Sequence, residues 1–341
     1  MTEPAPARAG RAPVMTDVAR RAGVSHQTVS RVLNGHPSVR PETLERVRRA
    51  IDDLGYRRNR TARALVTRRT LTIGVVASGA PLFGPSSTLH GVERAAHAAG
   101  YATILSTTSD AEGRDGVLAG VARLADRGVD GLVVTAPVHD LPDLADHLPP
   151  DLPTACAAGG PVPDLPSAYV DHRAGARAAA EHLLGLGHRE VRHVGGPPDW
   201  WEATERRRGW ADALGAAGLE PGPVLPGGWE AAQGYEAGLA LADDGAVTAV
   251  VAANDQLALG LLRALRERGV DVPGRMSVTG FDDVPESGYY SPPLTTVHQD
   301  LARVGGLAVE LLLARVAGTT AGPDHRVVTP ELVVRASTAP A

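Results

Sequence analysis

From Leu71 onward the chain alternates short apolar runs with longer helix-like stretches, and few folds accommodate that rhythm. LTIGVVAS, YATILST, DGLVVTA, PTACAA, SAYVD, EVRHVGG, AVVAAN and MSVTGFD read as strands. Between them, segments such as STLHGVERAAHAAG and QLALGLLRALRERG read as helices. Alternation of this kind predicts parallel βαβ units whose sheets are covered by helices, an α/β class. In such open sheets ligands bind in the crevice outside the strand carboxyl ends. At 341 residues and 43% hydrophobic composition, the chain exceeds one small domain and can build a sizeable core.

The segment ahead of Leu71 follows a different pattern. Residues 15–34, MTDVARRAGVSHQTVSRVLN, read as two short helices joined at Gly23, which takes positive φ cheaply. Asp17, Val18, Ala19 and Ala22 suit the first helix, with both alanines small enough for close helix packing. Ser25 is placed to cap the second helix, whose Val29, Val32 and Leu33 share one face. The opposite face carries His26, Gln27, Ser30 and Arg31. Short or planar hydrogen-bonding groups on the first turns suit the DNA major groove: Gln pairs with adenine edges and Arg with guanine edges. Hydroxyls, Thr28 included, and the helix N-terminus suit phosphates. Pro41, with Glu42 and Glu45 behind it, opens a third helix through Leu44, Val47, Ala50, Ile51 and Leu54 to Gly55.

Charge separates the two parts. Residues 1–69 hold fifteen Arg against six acidic residues, whereas the rest holds nineteen against thirty-three. The overall charge of −5 therefore hides a basic headpiece on an acidic body, the electrostatic footprint of phosphate binding. Arg40, Arg57 and Arg60 of that basic set are candidate DNA contacts, as are Asn59 beside them and Met15 and Asn34 beside the second helix.

DVARRAGVSHQTVSRVLNG and PETLERVRRAIDDLGYRRNRTARAL resemble the headpiece and hinge of the lactose-repressor (LacI/GalR) family of bacterial transcription regulators. EHLLGLGHREV, VVAANDQLALGLLRAL, SVTGFDDVPESGYYSPPLTTVHQD and VTPELVVRAS extend the likeness to about residue 335. The resemblance implies a three-helix helix-turn-helix headpiece and a bilobed, periplasmic-binding-protein-like core of two doubly wound parallel-sheet subdomains. The expected organisation is a disordered arm at 1–13, the headpiece at 14–56, a hinge helix or linker at 57–70 and an effector-binding and dimerisation core at 71–336. Lobe 1 would take about 71–170 and 300–328, and lobe 2 about 171–299 and 329–336. RRNRTARALVTRR has only Ala62, Ala64, Leu65 and Val66 to bury, too few to hold a helix alone in water. By resemblance this hinge folds on DNA, Ala62 lies against the minor groove, and Leu65 is the apolar wedge that unstacks a central base step. Arg58 stands where the family often has Pro.

The strand ends of the core carry chemistry of their own. Ser78 closes the first strand, Asn254 follows VTAVVAA, Asp282 follows MSVTGF, Arg206 follows EVRHVGGPPD and Trp229 lies in PGGWEAAQGY. Carboxylate, amide and guanidinium groups pair vicinal hydroxyls, and an indole covers the C–H face of a sugar. By resemblance Leu82, Pro85, Arg206, Trp229, Asn254, Phe281, Asp282 and Gln299 match effector-contacting positions of galactoside-responsive members. Trp201 joins this candidate ligand set, because adjacent exposed tryptophans such as Trp200–Trp201 mark a partner or ligand. The chain departs from the galactoside pattern at Ser109–Asp110, where an Arg is usual, and at Ala157–Ala158, where an acid is usual. It departs again at Trp200, Trp201 and Glu202, which replace loop serines.

Enzyme chemistry finds no foothold. G-x-G-x-x-G before a helix, the P-loop pattern, G-x-S-x-G and H-E-x-x-H are all missing from the sequence. His182 and His188 flank LLGLG at a helix end, where an imidazole suits the helix dipole better than a metal. Cys156, the single cysteine, reads as a small buried hydrophobe. No apolar leader or membrane span is evident, so a cytoplasmic protein, on the nucleoid when DNA-bound, is expected. VVRASTAPA carries no leucine heptad, which makes a homodimer the default. The expected function is a ligand-gated repressor on double-stranded operator DNA, released by a sugar effector and using no cofactor or metal. A purine- or nucleoside-responsive corepressor of the same fold and a sugar-binding or sugar-modifying protein with a vestigial headpiece are the alternatives.

Overall fold

The computed structural model describes residues 13–33, 36, 38–56, 69–109, 112–135, 143–157, 159–320 and 322–341. It comprises two compact units, residues 1–70 and 71–341. Asn34, Asn59, Arg60, Ala62 and Leu65, with most of the expected arm and most of the expected hinge, lie outside the described residues.

The first unit contains α1 (Met15–Ala22), α2 (His26–Leu33) and α3 (Pro41–Leu54). Gly23 at φ +63° turns the chain between α1 and α2, and the Val24 amide donates to Ala19 O at 3.0 Å. Only glycine takes that conformation without cost. Ser25 Oγ then accepts from the Thr28 amide at 3.1 Å, capping α2. Val18, Val29 and Val47 are fully buried and close the three-helix core with Ala19, Ala22, Ala50 and Tyr56. The Arg21–Asp53 ion pair joins α1 to α3 at 2.9 Å, but it is exposed and contributes little beside that core.

The second unit runs β1 (Thr72–Ser78), α4 (Phe83–Ala98), β2 (Ala102–Thr108), α5 (Gly113–Asp126), β3 (Gly131–Val134), β4 (Thr154–Ala157) and β5 (Ser167–Val170). It continues through α6 (His172–Gly185), β6 (Val191–Val194), α7 (Trp201–Ala216), α8 (Ala231–Ala242), β7 (Ala249–Ala252), α9 (Asp255–Glu267) and β8 (Ser277–Thr279). It ends with β9 (Thr296–His298), α10 (Leu301–Val316), β10 (His325–Val328) and β11 (Glu331–Val333). One sheet has the order β10-β5-β4-β3-β1-β2, with every pairing parallel. Side chains alternate across it. Ile73, Val75 and Ala77 meet α4 and α10, while Val76 on the other face meets Val117, Val121 and Leu124 of α5. The two covering helices approach closely: a Cβ at Gly91 of α4 or Gly305 of α10 would strike the partner's backbone.

The second sheet, β6-β7-β8, is also parallel. Leu225 bridges to Val194 on its outer side, so the order matches β2-β1-β3-β4 of the first lobe. Helices α6 and α7 cover one face through Ala176, Leu183, Trp210 and Leu214, and α8 and α9 cover the other. Between the lobes the chain crosses at residues 170–172, 299–301 and 328–331. Two sheets of one handedness thus turn their strand carboxyl ends toward a shared cleft, the position of a ligand in such folds. The apolar-run reading misses β9, β10 and β11. They are only three or four residues long and carry His298, His325, Arg326 and Glu331 within them.

Cys156 is fully buried and burial pushes its thiol up to about 12, as befits a core residue. Among the described residues no helix is long and apolar enough to cross a membrane.

Candidate functional site

Two surfaces carry polar groups in patterns that packing alone does not require. The first lies on α2. Burying Val29 turns His26, Gln27 and Arg31 outward, and all three are exposed. Ser25 is exposed as well, with Thr28 and Ser30 half-buried beside it. Ser25 and Thr28 also share a hydroxyl contact of 2.9 Å, so part of their capacity serves the cap. Met15 is half-buried against the headpiece core.

The second surface is the inter-lobe cleft, about 830 Å³ with its open mouth included. Lobe 1 contributes Leu82, Phe83, Pro85 and Thr88 from the start of α4, and Thr135 and Ala157 from the ends of β3 and β4. Lobe 2 contributes Trp200, Glu202 and Arg206 after β6, then Trp229, Asn254 after β7, and Asp282 after β8. His172 and Gln299 sit where the chain passes between the lobes.

Arg206 is the centre of this constellation. Its side chain is 6% exposed and lies 3.5 Å from Asp282. Nη1 donates to Ala253 O at 2.5 Å, and Nε donates to His172 Nδ1 at 3.3 Å. The Phe281 ring lies 3.9 Å below its carbon, and the Trp229 ring centre is 5.4 Å away. His172 is kept neutral: burial, then the Arg206 charge, drive its pKa well below the usual imidazole value. Because Nδ1 accepts from Arg206, the ring proton is assigned to Nε2. Burial likewise raises Asp282 to about 6, against the pull of Arg206 and Gln299. Asp282 also holds φ at +114° and Asp283 at +52°, conformations that side chains rarely adopt and that cluster at ligand sites.

Gln299 Nε2 donates to Asp282 Oδ1 at 2.5 Å, and among the described residues Gln299 Oε1 is buried without a partner. Trp229 Nε1 is in the same condition. A donor and an acceptor without partners at one cleft call for a ligand that can both give and take hydrogen bonds, since each costs about 1–3 kcal/mol if left so. Asn254 is partly committed. Its Oδ1 caps α9 at the Leu257 amide, 2.8 Å away, and Nδ2 donates to Trp229 O at 3.1 Å.

Leu82, Pro85, Arg206, Trp229, Asn254, Asp282 and Gln299 are therefore brought together around one space. Phe281 is 1% exposed and lies beneath Arg206, not on the lining. Ser78 is outside the lining too, its Oγ accepting from the Ala80 amide at 3.1 Å. Trp201 points out at 40% exposure, and Trp200 faces the cleft instead, its ring edge-on to Trp229 at 5.6 Å. The helix begins between the two, with Trp200 extended at the cap position, so neighbouring residues face different ways. His172 is missed by the sequence reading, because the Asp–His pair at 171–172 looks only like a helix start.

His182 and His188 are engaged by the chain's last residues: His182 meets Thr338, and His188 meets Ser277 and the carbonyl of Ala339, all at 3.0 Å. Among the described residues no group of three or more His, Cys, Asp or Glu is placed to hold a metal.

Residues 14–59 match the bacterial regulatory proteins of the lacI family, and residues 180–338 match a periplasmic binding protein-like domain. The lactose operon repressor of Escherichia coli K12 is 34% identical over 299 residues, covering 87% of this chain and 83% of that protein. The transcriptional repressor PurR of Photobacterium profundum is 36% identical over 335 residues, covering 94% and 97%. Among solved structures, the lac repressor dimer bound to operator and the anti-inducer ONPF superposes with a TM-score of 0.86 at 32% identity, covering 96% of this chain and all of that one. The complex of the regulator CelR with cellobiose gives 0.68 at 32%, covering 95% and 99%.

Behind the cleft, Asp255 is fully buried; its carboxyl accepts from the Val284 amide at 2.9 Å and meets the Thr296 hydroxyl at 2.5 Å. Burial, then Asp282, push it up to about 8. The folded protein holds a proton here that the unfolded chain releases near about pH 4, so stability falls as pH rises from there through about 8. Urea unfolding across that window is expected to show the wild type losing stability relative to Asp255→Asn as pH rises, since the buried neutral His172 and His193 act in the opposite sense in both proteins. Equal slopes would count against the assignment.

Proposed function

Because this chain belongs to the lacI family of bacterial regulatory proteins, we propose that it is a homodimeric repressor of a near-palindromic operator, released when a small sugar enters the inter-lobe cleft. The observation that carries the ligand class is the Asp282–Gln299–Arg206 cluster beside Trp229. A hydroxyl both donates and accepts, so sugar hydroxyls satisfy Gln299 Oε1 and Trp229 Nε1 together, while planar groups on Asp282 and Arg206 suit vicinal hydroxyl pairs. The indole supplies the flat apolar face that a pyranose presents its C–H bonds to. Likeness to a lactose operon repressor and to a regulator complexed with cellobiose supports the same class. A purine-responsive corepressor is the second reading. It is favoured by the match to PurR and by Trp200 and Trp229 meeting at one cleft, where a planar base would stack.

On DNA, His26, Gln27 and Arg31 of two subunits read base edges in successive major grooves, while Arg40 and the basic segment 57–70 take phosphates. The ligand acts by preferring one arrangement of the lobes, and coupling to the headpieces runs through segment 57–70. Carrying the population from about 1:99 to 99:1 needs a differential affinity of about 5.5 kcal/mol between the two states, within reach of several hydroxyl contacts. This protein belongs in the cytoplasm under that reading.

Two substitutions test the two ends separately. Arg31→Ala is expected to cost about 1–3 kcal/mol on operator DNA and little on non-specific DNA. Equal losses in fluorescence anisotropy on both would restrict Arg31 to phosphate contact. Asp282→Ala is expected to weaken sugar binding at least about tenfold in calorimetry and to leave operator affinity in place. Undiminished sugar affinity would remove Asp282 from the pocket.

A further inference from the structure

Glu202 gives the cleft a second carboxylate, and its placement is fixed from two sides. It occupies the second position of α7, one turn ahead of Arg206, and lines the same space as Asp282. Across the cleft lies Gly159, just beyond β4: a Cβ there would fall against the Glu202 carboxyl group. The next residue, Gly160, stands in the same relation to the Trp201 indole. The start of α7 is therefore seated on two consecutive residues without side chains, and the carboxylate reaches the lobe 1 wall only because Gly159 leaves the room.

On the described lining the acidic side chains outnumber the cationic ones. Arg206 is the single cationic side chain on the described lining, and it faces Asp282 and Glu202. His172 is neutral, as its contact with Arg206 requires, and Asp255 behind the wall holds its proton at neutral pH. The carboxylates feel one another as well, since Glu202 is among the groups that raise Asp282. In a half-buried cleft, charges a few ångströms apart interact far more strongly than in water.

We propose that Glu202 selects the effector by charge: the cleft admits an uncharged or amine-bearing sugar and rejects phosphorylated or carboxylated ones. This rests on the sugar reading given above and adds the charge class to it. An anionic group brought into this space meets two carboxylates and competes with both for one guanidinium, whereas a hydroxyl or ammonium donates to them. Gly159 is part of the device, because a side chain there would force the Glu202 carboxylate to shift.

Calorimetry with matched probes tests it: galactose, galactosamine and galactose 6-phosphate, then the same set built on glucose. With the full-length wild type, the uncharged or amino sugar is expected to bind and its phosphate to bind at least about tenfold more weakly. Glu202→Gln, which keeps the side chain's shape, is expected to narrow that gap about tenfold. Gly159→Ala is expected to narrow it in the same direction without touching a charge. A phosphate that binds the wild type as tightly as its parent sugar overturns the proposal and leaves the sugar reading intact, as does a gap unchanged in Glu202→Gln. Binding of hypoxanthine or guanine in place of every sugar overturns both.

Discussion

A guanidinium with almost no exposure to water sets the terms for everything around it. Removing such a charge from solvent costs several kcal/mol, which a single ion pair seldom offsets. Arg206 is held by a carbonyl, an imidazole nitrogen, a carboxylate and two aromatic faces. These partners come from several strand ends and crossings. Ala253 follows β7, His172 opens α6, and Phe281 and Asp282 follow β8. The cleft exists in this form because parallel strands deliver their carboxyl ends to one place, and Arg206 gives those ends a common centre. The strained backbone at Asp282 belongs to the same arrangement: its amide donates to Val297 O at 2.8 Å, and Gln299 fastens its carboxylate.

How far the sequence reveals this depends on the kind of information each residue carries. Strands β1 and β3 to β8 are legible because buried parallel strands need near-continuous apolar runs, whereas β2 is a largely exposed edge strand. Asn254 and Asp282 are legible because they directly follow such runs. Phe281 shows the limit of position matching. It shares a dipeptide with Asp282, yet past the end of β8 it turns beneath Arg206 and away from the lining. Trp200 and Trp201 show the limit of helix phase, since a boundary shifted by one residue exchanges the inward and outward indoles. His172 is illegible for another reason. Its role depends on a partner thirty-four residues away, and nothing local distinguishes it from an ordinary first-turn histidine.

The division of charge has a physical logic under this account. A basic headpiece draws the protein to DNA regardless of sequence, and α2 then supplies discrimination through a few exposed planar groups. The acidic body avoids competing for the same phosphates. Its cleft repeats the preference on a smaller scale, with carboxylates outnumbering the one cation on the described lining. Ligand recognition and DNA recognition therefore use opposite electrostatics in units joined by one short segment.

The central claim is that the cleft and the headpiece are thermodynamically coupled, and linkage makes that claim measurable from either side. The most direct test is operator affinity, with DNA from upstream of the protein's own gene, titrated with and without saturating galactosides and glucosides. The account predicts that one of these sugars lowers operator affinity at least about tenfold, a coupling of about 1.4 kcal/mol. A sugar that binds the protein and leaves operator affinity unchanged would contradict it.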